Sequence, residues 1–280
     1  MAVSSFQSFP APAKLNLMLH VVGQRPDGYH LLETVFRFLD YGDTIHIAVR
    51  NDARIVLETP LPDVDPESDL TVRAARLLQS VTGAKQGASL RIDKRLPMGG
   101  GLGGGSSDAA TVLIALNQLW QTGLDRETLM ALGLRLGADV PVFIFGQPAF
   151  ASGIGEELTV CDVPDAWYVV LYPGVSIPTQ KIFSSKDLTR DSEPLIMRAL
   201  SVTQRRNDLQ PVACKEFPKV AECLDKLSKF GPAMMTGSGS CVFLECHSKL
   251  EAETVYQMLS IEYNGFLASG LKQHPLYDSI

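Results

Sequence analysis

Residues Leu96–Ala110 read LPMGGGLGGGSSDAA, six glycines in seven positions running straight into an apolar helical pattern. Glycine inside regular structure costs about 0.5–1 kcal/mol relative to alanine, so a run this dense is not a packing device. What glycine supplies is positive φ and no Cβ, which lets successive backbone N–H groups converge on an anion. The spacing predicts a helix starting near Ser106 or Ser107, capped by those serines, with Ala110, Leu113, Ala115, Leu116 and Leu119 on its buried side. Its free N–H groups and positive dipole end favour phosphate. The expected phosphate cradle is Pro97, Met98, Gly99, Gly100, Gly101, Leu102, Gly103, Gly104, Gly105, Ser106 and Ser107.

Three common phosphate motifs do not fit this run. Gly99, Gly101 and Gly104 satisfy G-x-G-x-x-G, but Lys94-Arg95-Leu96-Pro97 stands where a dinucleotide fold needs an apolar strand. Gly100 and Gly105 have the Walker A spacing, yet Ser106 occupies the lysine position. The H-R-D and D-F-G signatures of protein kinases are absent from the sequence.

On either side of the run, alternation and helical spacing suggest two α+β halves. Lys14–Val21 alternates, with Leu15, Leu17, Leu19 and Val21 on one face and Lys14, Asn16, Met18 and His20 on the other, as in a half-buried strand. Pro26-Asp27-Gly28 marks a turn that delivers Tyr29 and His30. Thr44–Val49 and Arg54–Glu58 read as a hairpin, Leu70–Val81 as a helix, Ala88–Ile92 as a strand and Asp125–Leu136 as a helix. Further on, strand Trp167–Tyr172, helix Phe217–Phe230, strands Ala233–Thr236 and Cys241–Cys246, helix Leu250–Leu259 and strand Gly265–Ala268 follow one another. That β-α-β-β-α-β order is the split βαβ motif. The expected halves are residues 1–153 and 154–280, with a site in the cleft between them.

Composition narrows the partners. With 25 basic and 31 acidic residues the net charge is −6, so there is no basic excess to neutralise a nucleic-acid polymer or an anionic membrane. No apolar stretch is long enough to span a bilayer. Five irregularly spaced cysteines, without a Cys-x-x-Cys pair, read as small buried hydrophobes in a reducing, cytoplasmic compartment. No histidine pair or carboxylate cluster has metal-ligand spacing, so Mg²⁺ would arrive with a nucleotide. A monomer and a homodimer are both compatible with the sequence.

The strings P-A-P-A-K-L-N (Pro10–Asn16), P-M-G-G-G-L-G-G-G-S-S (Pro97–Ser107) and L-G-A-D-V-P-V-F (Leu136–Phe143), in this order, resemble the GHMP kinases, the superfamily of galactokinase, homoserine kinase and mevalonate kinase. Arg25–His30, Phe38–Asp43, Pro173–Thr179 and Thr236–Phe243 extend the likeness towards its branch acting on a cytidine-diphosphate-linked polyol. The resemblance implies an α+β fold with a ribosomal-protein-like ATP-binding half and a ferredoxin-like second half. It implies ATP with Mg²⁺ as phosphoryl donor and a small cytidine diphosphate compound as acceptor. Asp139, which by itself also reads as a helix N-cap, becomes a general base, and Lys14, otherwise a solvent-facing strand lysine, its cationic neighbour. Tyr29, His30 and Phe183 are assigned to the cytidine, Asn16 to the polyol and Thr179 to the same pocket. Gly237–Ser240 is placed near the phosphates. Asp108 stands where some relatives carry asparagine, and either helps hold Mg²⁺ or caps the helix.

Overall fold

The strand carrying Lys14 is far longer than its alternation predicts. In the computed structural model, which describes residues 5–60, 65–194 and 205–280, β1 runs Gln7–Gln24 and is buried on both faces from Ala13 to Val21. It pairs antiparallel with β2 (His30–Arg50) through the turn at Gly28, whose φ of +91° suits glycine. Register shifts between Pro12 and Lys14, Asn16 and Met18, and Val21 and Gly23 break the strict alternation. Met18 therefore packs in the same apolar cluster as Leu15 and Leu17 rather than opposite them.

The expected hairpin of Thr44–Val49 with Arg54–Glu58 does not form. The second segment shrinks to β3 (Ile55–Leu57), which pairs in parallel with β4 (Gly87–Asp93), and β4 lies between it and β2. The intervening helix α1 (Leu70–Thr82) makes the connection a β-α-β crossover, which alternation within two short strands cannot reveal. Helix α2 (Gly104–Leu119) packs on β1 and β2, the pair α3 (Arg126–Leu134) and α4 (Val140–Phe145) packs against α2, and the β5–β6 hairpin (Ala149–Ser152, Glu157–Val160) joins the sheet through β2. The boundary expected at 153/154 falls within the turn of that hairpin.

The later half follows the expected order. Strand β7 (Trp167–Tyr172) leads through α5 (Thr179–Phe183), α6 (Gln210–Glu216) and α7 (Pro218–Leu227) to β8 (Met234–Met235) and β9 (Val242–Cys246). Then come α8 (Lys249–Leu259) and β10 (Asn264–Leu271). The sheet order β10-β7-β9-β8, antiparallel throughout, is the split βαβ arrangement. The helix expected over Phe217–Phe230 forms as α7 over Pro218–Leu227, and Pro218 opens its first turn, which separates it from α6.

Gly270 and Leu271 of β10 pair with Leu39 and Phe38 of β2, so the two sheets are continuous. Along this seam Leu15, Leu17, Leu96 and Leu102 bury against Tyr168, Phe243 and Phe266. The seam fixes the strand bearing Lys14 against the Gly237–Ser240 turn. Among the described residues no helix is long and apolar enough to cross a membrane, and all five cysteines are free.

Candidate active site

The glycine run is held by its carbonyls, which leaves its N–H groups for a ligand. Ser240 N and Cys241 N donate to the carbonyls of Gly99 and Gly100 at 3.2 and 3.0 Å, and Lys14 N donates to Leu102 O at 3.0 Å. Gly101 and Gly103 adopt φ of +75° and +72°. A Cβ on Gly101 would lie 2.2 Å from Thr236 O, and one on Gly103 2.9 Å from Phe143 Cζ and 3.1 Å from Lys14 Cε. Both positions thus demand glycine twice over, through backbone conformation and through space.

Helix α2 starts two residues before the expected serines. Gly103 is its N-cap in the left-handed region, with no side-chain cap. The backbone itself makes the entry, Ser107 N donating to Gly103 O at 2.8 Å. Pro97 through Ser106 line a cleft of about 430 Å³, while Ser107 is buried behind them with Oγ donating to Pro12 O at 2.7 Å. Ser107 is therefore a strut between α2 and β1, not a lining residue.

Lys14 and Asp139 meet in the same cleft, Nζ to Oδ2 at 3.5 Å. The lysine is buried, its Nζ donating to Asn16 Oδ1 at 2.5 Å and lying 5.4 Å from the centre of the Phe36 ring. This corrects the solvent-facing reading of a strand lysine. Asp139 occupies the N-cap position of α4, but its side chain makes no capping bond, so its oxygens are free to face the cleft. Asn16 is fully engaged: its amide donates to Thr34 Oγ1 at 2.8 Å, and its backbone N to Thr236 Oγ1 at 3.0 Å. It fixes the lysine as much as it lines the cleft.

Behind the cradle, Lys94 Nζ donates to Asp43 Oδ2 at 2.6 Å and to Asp108 Oδ2 at 2.7 Å. Asp43 Oδ1 also accepts from the backbone N–H groups of Arg95 and Leu96, tying the start of the glycine run to β2. One cation thus serves two carboxylates. Burial pushes the Asp108 carboxyl up to about 7, with Lys94 opposing and the charge of Asp43 adding to the rise. Burial works against the Lys94 charge too, but Asp108 and Asp43 outweigh it and hold the ammonium above its usual range. Asp108 does not cap α2; it lines the cleft with only 2% exposure, and its Oδ1 is buried without a hydrogen-bond partner.

At the other end of the cleft, Phe183 and Thr179 on α5 line the wall, Thr179 Oγ1 lying 2.8 Å from Ser238 Oγ. His30 stands behind Phe183, ring centroids 5.0 Å apart, with Nε2 accepting from Arg190 Nε at 3.1 Å. Burial and then the Arg190 charge lower the pKa of His30, which favours the neutral ring. Tyr29 is not brought to the cleft: it is 59% exposed at the tip of the β1–β2 turn. Arg190, whose guanidinium also donates to the Phe183 and Ser185 carbonyls, escaped sequence reasoning because a lone arginine in a loop carries no pattern. Thr34 and Phe36 of β2 and Ile177 also lie on the cleft wall, and nothing in their local sequence marks them.

A family model for the N terminal domain of GHMP kinases matches residues 69–147, and one for their C terminal part matches residues 185–265. A 4-diphosphocytidyl-2-C-methyl-D-erythritol kinase from Chromobacterium violaceum is 62% identical over 278 residues, spanning 98% of both chains. The enzyme of the same name from Thiobacillus denitrificans is 56% identical over 274 residues, spanning 98% of this chain and 99% of its own. Among solved structures, a 4-(cytidine 5'-diphospho)-2C-methyl-D-erythritol kinase superposes with a TM-score of 0.83 at 31% identity, covering 94% of this chain and 99% of that one. A homoserine kinase from Cytophaga hutchinsonii shares the fold, with a TM-score of 0.73 at 15% identity, covering 98% and 97%.

Proposed function

The chain belongs to the GHMP kinase family, and from that premise we infer that it transfers the γ-phosphoryl group of ATP to the 2-hydroxyl of 4-diphosphocytidyl-2-C-methyl-D-erythritol. The products are the 2-phosphate and ADP, in the non-mevalonate route to isoprenoids. The observation that carries this reading is the convergence of a glycine-rich cradle and the Lys14–Asp139 couple in one cleft.

In this reading the N–H groups of Gly99–Ser106 and the start of α2 hold the triphosphate. Asp139 takes the proton of the acceptor hydroxyl, whose oxygen bonds to the γ-phosphorus as the bond to the β–γ bridging oxygen breaks and ADP leaves. A tertiary hydroxyl is hindered and poorly acidic, so positioning and electrostatics supply most of the acceleration. A general base contributes roughly 10²–10⁴-fold. Lys14, fixed by Asn16 and the Phe36 face, keeps a cation beside the charge that develops on the transferring group. Phe183 stacks on cytosine, with His30 behind it and Thr179 towards the diphosphate.

Mg²⁺ would accompany ATP, neutralising its β- and γ-oxygens. Among the described residues no group of three or more acidic, histidine or cysteine side chains could hold a metal ion, and Asp108, on the cleft wall, has its Oδ2 bonded to Lys94. We further propose that residues 1–153 form the ATP-binding half and 154–280 the acceptor-binding half of a cytoplasmic enzyme that acts on no polymer, as a monomer or homodimer.

Release of ADP from ATP, measured with the cytidine diphosphate acceptor, homoserine and mevalonate in turn, tests the assignment. Turnover with the cytidine compound alone supports it; faster turnover with either other alcohol overturns it.

A further inference from the structure

Asp139 sits at one end of α4, a helix of six residues, Val140–Phe145. So short a helix has little stability of its own, because nucleation costs more than a few hydrogen bonds return. Its orientation, and with it the direction of Asp139, depends on what grips the other end. That end is held from two sides. Arg126 Nη1 donates to Ile144 O at 2.6 Å and to Phe145 O at 3.4 Å, and its Nη2 donates to Tyr277 O at 2.6 Å. The guanidinium lies 4.2 Å from the centre of the Tyr277 ring. His274 N donates to Gly146 O at 2.7 Å, so the last two carbonyls of α4 and that of its C-cap Gly146 are met by Arg126 and the 274–277 turn.

A second line of contact runs through the helix. Its Phe143 ring packs 5.5 Å from Phe38, whose other edge meets His274 at 5.9 Å in a T-shaped pair. The far edge of Phe143 reaches the site, where its Cζ fills the space a Gly103 side chain would need, beside Lys14 Cε. The helix is therefore wedged between the clamp and the cradle.

We propose that Arg126, with the segment His274–Ser279, is a positioning device that holds α4 so that Asp139 faces Lys14. It touches neither nucleotide nor acceptor and acts through the helix. The inference rests on Asp139 being the general base, as read above.

The test is a double-mutant cycle on the full chain with Arg126→Met, which keeps the aliphatic stem, and Asp139→Asn. Arg126→Met is expected to lower kcat about tenfold while the KM for ATP, and the Kd of a non-hydrolysable ATP analogue, change less than threefold. In the Asp139→Asn background the same change is expected to cost less than twofold, because no base remains to be aimed. Equal losses in both backgrounds, or an unchanged kcat in folded Arg126→Met, would overturn the proposal. Should Arg126→Met not fold, Tyr277→Leu and Arg126→Lys loosen the clamp more gently, and an unchanged kcat in both overturns it equally. Full turnover by Asp139→Asn alone instead overturns the assignment of the base, and the clamp with it, and is recognised without any change at Arg126.

Discussion

Lys14 Nζ approaches Asp139 Oδ2 to 3.5 Å from the buried side, the lysine side chain 3% and the aspartate 41% exposed. The cation is anchored by a neutral amide oxygen and an aromatic face, while the anion looks into the cleft without a capping bond to its helix. This asymmetry suits a fixed charge beside a working base. Replacing Lys14 by methionine removes the charge and keeps the stem. We expect kcat to fall about 10²–10³-fold, as for the loss of one preorganised electrostatic group, with the KM for ATP changed less than fivefold. Steady-state kinetics with ATP varied provides the check.

The cradle makes a prediction about space. Gly101→Ala adds a strained φ and drives Cβ to 2.2 Å from a backbone oxygen that has nowhere to go. Left-handed strain and overpacking together predict a loss of roughly 2–5 kcal/mol. At Gly105 the nearest atom to a new Cβ is Leu70 Cδ1 at 3.5 Å, an ordinary contact in the first turn of α2. Gly105→Ala is expected to leave stability unchanged or raised by up to about 1 kcal/mol. Paired denaturant titrations measure the difference.

If Phe183 stacks on the cytosine, as proposed, it bears on the acceptor alone. Loss of an aromatic stacking partner costs roughly 1–3 kcal/mol, so Phe183→Leu is expected to raise the KM for the cytidine acceptor about 5–150-fold. The KM for ATP should stay within twofold. A rise confined to ATP would place the aromatic wall at the wrong end of the cleft.

Asp108 makes a pH prediction. Its folded pKa is raised to about 7 from 3.8, so between these values the folded chain holds a proton that the unfolded chain has lost. Stability on this account falls as pH rises from about 4 to about 7 and then levels. Asp108→Asn removes the effect and is expected to stabilise the protein by roughly 1–3 kcal/mol at pH 8 and little at pH 4.5. Thermal denaturation at the two pH values gives the comparison.

His274 titrates in the opposite sense. Burial, and then the nearby Arg126 charge, lower it to about 4, so the unfolded chain takes up a proton near pH 6.5 that the folded chain refuses. Stability falls as pH drops through that window, by up to about 3 kcal/mol at pH 4. His274→Leu is expected to be weaker at pH 7, through loss of the acceptor for Leu276 N, yet to lose less between pH 7 and 4.5.

Much of this was legible in the sequence, for identifiable reasons. The glycine run announced itself because nothing but backbone geometry explains it, and the split βαβ half emerged because its strands and helices are regular and evenly spaced. Lys14 and Asn16 were correctly put on one face of a strand, but two-residue periodicity could not tell a buried face from a wet one. The Thr44–Glu58 hairpin failed because β3 finds its partner across a helix, a long-range choice that local alternation does not encode. Ser107 has the sequence position of a cap, but Gly103 is the N-cap of the helix, without a side-chain capping bond. Asp43, Arg126 and Arg190 are single charged residues in unremarkable surroundings, and only the fold brings their partners to them.

Single-turnover phosphoryl transfer by Asp139→Asn, with enzyme and ATP both in excess of the cytidine acceptor, tests the central claim most directly. If Asp139 is the base opposite Lys14, the rate constant falls about 10²–10⁴-fold while a non-hydrolysable ATP analogue binds within threefold of its original Kd. Transfer at the unaltered rate, with the analogue still bound, would contradict it.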